Sequence, residues 1–136
     1  MTHYPKPPIA LHIALWVAQI LIAASFSWAA YLKLFQPIAE LSRMWPWTAQ
    51  IPPELVKLTG VFDFLGAVGI LLPSLLRIRP GLTPITAIAI VVQMICAGIF
   101  HISRGEAAGI APNIVFALLA AFVAWGRSRK APIPAR

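Results

Sequence analysis

Charged residues divide this chain into long apolar runs. Between Lys6 and Lys33 lie 26 uncharged residues, 7–32. Lys57 and Arg77 enclose 19, 58–76, broken only by Asp63. Arg79 to Arg104 leaves 24, 80–103, and Glu106 to Arg127 leaves 20, 107–126. An apolar helix needs about 18 or more residues to cross the hydrocarbon core of a bilayer. Each run meets that length. The pattern therefore predicts an all-α fold, an integral membrane four-helix bundle with four transmembrane helices. Their expected bounds are about 9–34, 55–75, 81–103 and 110–127, within a single transmembrane domain 1–136, and residues 36–54 form a long loop. Prolines at 8, 52, 53, 80, 84 and 112 fall at or near predicted helix starts. There the first N–H groups have no intrahelical partner to lose.

Within each run, small and polar residues recur at helical spacing. Gln19, Ile22, Ala23, Phe26, Ala30 and Lys33 share one face of the first helix. Gly60, Asp63, Gly66, Ala67 and Ile70 share one of the second. The third offers Gln93, Ala97, Phe100, His101 and Arg104, and the fourth Asn113, Phe116, Ala117, Ala120, Ala121 and Ala124. Small residues let membrane helices approach closely, and polar groups turn inward because lipid cannot satisfy them. These stripes are the expected core faces.

Composition supports the membrane. Hydrophobic residues make up 60% and charged residues 11%, against about 25% charged in soluble domains. The net charge of +7 would suggest nucleic acid in a soluble protein. Here the positives lie outside the apolar runs, so the expected partner is the lipid bilayer and no nucleic acid. Both termini and the 77–79 turn share one side, with Lys6, Arg77, Arg79, Arg127, Arg129, Lys130, Arg136 and no acid. The other side carries Lys33, Arg43, Lys57 and Arg104 with Glu40, Glu54, Asp63 and Glu106. The positive-inside rule counts Lys and Arg, which places both termini in the cytoplasm and loop 36–54 outside. The expected location is a bacterial-type inner membrane, crossed several times. The first apolar stretch exceeds a signal peptide's core, so no cleavage is expected. A lone Cys96 in an apolar run excludes an intramolecular disulfide and a CxxC pair, and reads as a small core residue.

Depth assigns the candidate chemistry. Lys33 lies near the outer end of the first helix and Asp63 early in the second. His101 lies near the outer end of the third, and Asn113 in the first turns of the fourth. All four fall in the outer half, while the inner half is expected to lack polar core residues. A carboxylate at Asp63 must find a partner, take a proton or sit in a wet cavity. One reading is structural, with Lys33 paired to Asp63 and with Asn113 and His101 closing the network. The other is a pocket opening outward, where His101 or Asp63 exchanges a proton with a bound molecule. Trp45 and Trp47, flanking Pro46, serve either as interfacial anchors or as a lid over that pocket. No metal site is expected, since His3 and His12 lie on the opposite side from His101. A transport path is disfavoured because the polar cluster does not continue inward.

The ordered set YLKLF (31–35), GVFDFLGAVGILLP (60–73), MICAGIFHISRGE (94–106) and PNIVFALLAAFVAWGR (112–127) resembles the DoxX-like family of small four-span membrane proteins. Asp63 stands where that family usually has Glu, and Ala30 where it often has Gly. The resemblance places the family's polar positions on Lys33, Asp63, His101 and Asn113. It implies a redox-associated subunit, since some relatives belong to thiosulfate:quinone oxidoreductases. On that basis Lys33, Asp63, His101, Asn113, Trp45 and Trp47 are the candidate ligand-binding residues, and a quinone or other lipid, not covalently bound, is the candidate ligand. Distant relatives that act as chaperones imply an alternative, a non-catalytic assembly factor that captures partner transmembrane helices. Either reading admits a membrane protein partner or a homo-oligomer, and whether the chain is itself an enzyme stays open.

Overall fold

A computed structural model describes residues 6–136. Among the described residues four helices are long and apolar enough to cross a membrane: α1 (Ile9–Phe35), α3 (Pro53–Leu76), α4 (Leu82–Ser103), and α5 (Ala111–Trp125) with the π turn Gly126–Lys130 that extends it. The loop expected at 36–54 contains a short helix, α2 (Ile38–Met44), and a 3-10 turn, Pro46–Ala49. Pro53 opens α3 and Pro112 lies in the first turn of α5, both in positions where a missing N–H costs nothing. No strand occurs among the described residues.

The helices form a ring in the order α1–α3–α4–α5, each running antiparallel to its neighbours. Packing is most extensive between α1 and α3 and between α4 and α5, and least across the α1–α5 seam that closes the ring. Ala18, Ile22, Ala23 and Phe26 of α1, Ala67 and Ile70 of α3, Ala87 and Ile90 of α4, and Ala120 and Val123 of α5 form the buried core. Large residues on the opposite faces, such as Ile13, Leu65, Ile95 and Leu118, are exposed. In a soluble protein this would be untenable; in lipid it is the favourable arrangement.

The expected faces hold on α1 and α3. Gly60 explains the approach between them: a Cβ there would lie 2.9 Å from Lys33 Cβ and 3.2 Å from Leu34 Cγ. Two expectations fail. Ala121 faces outward, while Val123 takes the buried position on α5. Cys96 is exposed on α4, because the buried side of that helix is set by Thr83, Ala87 and Ile90. An apolar run does not mark which of its faces meets protein when lipid covers the rest.

Candidate functional site

At the end of the bundle away from the termini, called here the loop end, Asp63 holds two partners. Lys33 Nζ donates to Oδ2 at 2.7 Å, and Gln93 Nε2 donates to Oδ1 at 2.7 Å. The lysine and aspartate side chains are 13% and 5% exposed. Lys33 can reach Asp63 because the close contact at Gly60 brings α1 onto α3 one turn away. The ammonium also sits 5.7 Å from the ring centroids of both Trp45 and Trp47. Such cation–π contacts contribute about 0.5–2 kcal/mol each, more where water is excluded. The π faces thus share the charge with Asp63 on the loop side.

A crevice of about 620 Å³ opens beside this pair. Trp28 and Ser25 of α1, Phe116 and Asn113 of α5, and Met94 of α4 form its walls, and Lys33, Asp63 and Trp45 line its polar end. It lies on the weakly packed α1–α5 seam, and exposed Ala24, Trp28 and Pro112 border it. Its opening therefore lies at the side of the bundle, between α1 and α5. Within it, Asn113 Nδ2 donates to Met94 Sδ at 3.9 Å, its one side-chain hydrogen bond among the described residues. Sulfur is a weak acceptor, and the amide has a second N–H beyond the one it gives to Met94.

His101 belongs to a separate group. Glu106 N–H donates to His101 O at 2.8 Å and Gly105 N–H to Ile102 O at 3.0 Å, the paired bonds of a Schellman helix end. Gly105 takes the left-handed conformation this requires, at φ 76°. The reversal folds Glu106 back over the last turn of α4. Its carboxylate meets His101 Nδ1 at 2.7 Å and accepts from Arg104 Nε at 3.1 Å. The hydrogen bond from His101 is the main reason the Glu106 carboxyl is held below its usual range, with Arg104 adding to it. Trp47 lies against both groups, 5.7 Å from Lys33 Nζ and edge-on to His101 with centroids 6.3 Å apart.

The four polar residues picked out in the sequence thus share one end of the bundle but do not form one network. Lys33 and Asp63 pair, Asn113 faces the crevice independently, and His101 binds Glu106 and does not line the crevice. Gln93, the second partner of Asp63, was legible only as a member of a core face. A lone amide in an otherwise apolar run, on the face that meets the acid, was the available signal.

The terminal end overturns one expectation outright: it contains polar core residues. Gln19 Nε2 donates to Ile70 O at 2.8 Å, and Arg127 Nε donates to Gln19 Oε1 at 2.7 Å. Ser74 and Thr83 share a hydroxyl bond of 2.7 Å. Arg127, counted in the sequence as a surface charge, is 3% exposed. The π turn is the cause. Its wider winding, closed by Ala131 N–H to Gly126 O at 2.7 Å, places Arg127 on the inner side of the helix. Gly126 lets this happen beside α1, since a Cβ there would overlap the Leu15 side chain.

Four apolar helices joined in this ring define a small multi-pass membrane protein that lives in a lipid bilayer. The chain belongs to the DoxX-like family, whose model matches residues 17–123. No curated protein and no solved structure matches it.

Proposed function

We propose that the crevice holds the polar head of a membrane-soluble molecule of the quinone class, and that the chain serves as a ligand-binding subunit beside a redox enzyme. The observation that carries this reading is the Asn113 amide, which lines an aromatic-walled cavity next to Lys33 and gives one of its two N–H groups only to the weak acceptor Met94 Sδ. Lys33 has N–H donors beyond the one given to Asp63, and Asn113 has one beyond the one given to Met94, so the polar end can donate to a ligand. A quinone carbonyl accepts and cannot donate, which is the matching chemistry. Its ring suits Trp28 and Phe116, and its tail can remain in lipid along the α1–α5 seam.

Conversion to a hydroquinone takes two electrons and two protons. The chain has one thiol and no dithiol of its own, so in this reading the electrons come from a partner oxidoreductase. Asp63 is the nearer candidate for proton exchange, because it lines the crevice. His101, with Glu106, stands behind Trp47 and acts on the ligand only through that ring's position.

A photoreactive quinone analogue tests the proposal in purified protein. Labelling is expected at α1 and α5 residues of the crevice and should be displaced by unlabelled quinone. Asn113→Leu removes one neutral hydrogen bond and should weaken binding about fivefold, and Lys33→Met should weaken it further. Unchanged labelling in both variants would sink the idea. Capture of a partner transmembrane helix along the same seam, with no quinone labelling, would favour the assembly-factor reading.

A further inference from the structure

The terminal end contains a buried cation with no carboxylate partner among the described residues. Arg127 Nη1 donates to Ala131 O at 2.9 Å and meets His12 Nδ1 at 3.1 Å. Nη2 is buried and has no hydrogen-bond partner among the described residues. Buried guanidinium groups are ordinarily paired, because an unsatisfied charged donor forfeits its full solvation.

His12 sharpens the deficit. Trp16 Nε1 donates to His12 Nε2 at 3.1 Å, while the Arg127 guanidinium approaches Nδ1. An indole N–H and a guanidinium can only donate, and a neutral imidazole has one accepting nitrogen. One of these two contacts therefore lacks a true acceptor, in addition to Nη2. The cluster holds more N–H groups than it can satisfy.

We propose that Arg127, His12 and Trp16 form a binding site for a phosphate-type oxyanion, either the phosphate of an anionic lipid or free phosphate. Such a group brings several acceptor oxygens and the negative charge that the guanidinium lacks. The location suits it. His12 lies in the first turn of α1 and Arg127 just beyond α5, at the polar boundary of the membrane. The same end carries Lys6, Arg77, Arg79, Arg129, Lys130 and Arg136 with no acid. His12 and Trp16 are only partly buried, which leaves an approach from the lipid side.

The C-terminal tail covers the remaining side. Ala131 is 1% exposed and places its carbonyl on Nη1. Further along, Arg77 Nε donates to Pro134 O at 2.9 Å and Arg136 N–H to Arg77 O at 3.0 Å. A neutral carbonyl is a weaker partner for a guanidinium than an oxyanion is. Occupancy of the site should therefore loosen residues 131–136.

Native mass spectrometry of the full chain in neutral detergent tests this with three probes: phosphatidylglycerol, phosphatidylcholine and inorganic phosphate. Retention of phosphatidylglycerol about tenfold above phosphatidylcholine is expected, falling about tenfold in Arg127→Gln. Should that variant misfold, Trp16→Phe and His12→Leu, which leave the guanidinium in place, should each lower retention severalfold. Amide exchange at Ala131 and Arg136 should rise on binding. Displacement of the lipid by inorganic phosphate assigns the site to oxyanions in general; binding of lipid without displacement assigns it to a headgroup. The proposal falls if phosphatidylglycerol and phosphatidylcholine are retained equally and phosphate does not bind. It falls equally if Trp16→Phe and His12→Leu leave retention unchanged.

Discussion

The Asp63 carboxylate decides the stability of the loop end through its partners. With a lysine and an amide each at 2.7 Å, its charge is fully engaged in a site that is 5% exposed. Replacing both ions of a buried pair by apolar groups is often neutral, whereas removing one strands the other. Asp63→Asn should therefore cost about 3–5 kcal/mol. The triple change Lys33→Met, Asp63→Leu and Gln93→Leu should cost far less. Unfolding in mixed micelles of increasing denaturing detergent measures both. Equal losses in the two proteins would show that the pair contributes net attraction well above its desolvation. Sequence pattern made Lys33 and Asp63 legible as partners because both stand out in apolar runs and share a depth. It did not separate His101 from them. That separation depends on the reversal at Gly105, which lies beyond the helical spacing of α4.

Among the elements, the end of α4 carries a polar clasp of its own. His101 and then Arg104 hold the Glu106 carboxyl below its ordinary value of 4.5. A carboxylate with a lowered folded pKa contributes stability above its unfolded pKa, and loses it as pH falls through the folded one. The clasp should stay closed at neutral pH and open only in acid, with a midpoint below 4.5. A side-chain carboxyl titration followed by NMR gives that midpoint directly. A value at or above 4.5 would remove His101 as its partner. The clasp matters for the candidate site because Trp47, packed on His101, also supports the Lys33 ammonium. The helices themselves follow from run length, so α1, α3, α4 and α5 could be read from charge spacing alone. The short α2 could not, since its seven residues leave too little periodicity to distinguish it from loop.

For the molecule as a whole, the structure alters the charge count that orients it. Arg127 is buried, so six of the seven terminal-end positives remain at the surface. Lys33 is paired inside the bundle, which leaves Arg43, Lys57 and Arg104, three of the four at the loop end. The bias toward the termini becomes six against three. Both termini should therefore be cytoplasmic. A fluorescent-protein fusion at the C terminus should be bright and a periplasm-dependent phosphatase fusion inactive. The opposite pattern would invert the membrane and place the crevice in the other leaflet.

The amino-acid sequence by itself determined that the chain spans a membrane four times, which faces of α1 and α3 turn inward, and that Lys33 and Asp63 share a depth in the bundle. Those follow from run length and helical spacing, which are local. Tertiary structure alone decided three things: that a crevice lies on the α1–α5 seam, that Asn113 lines it apart from the Lys33–Asp63 pair, and that Arg127 is buried at the terminal end. Each depends on how closely two helices approach. That distance is set by contacts between residues far apart in the chain, such as Leu15 against Gly126, which no window along one helix contains.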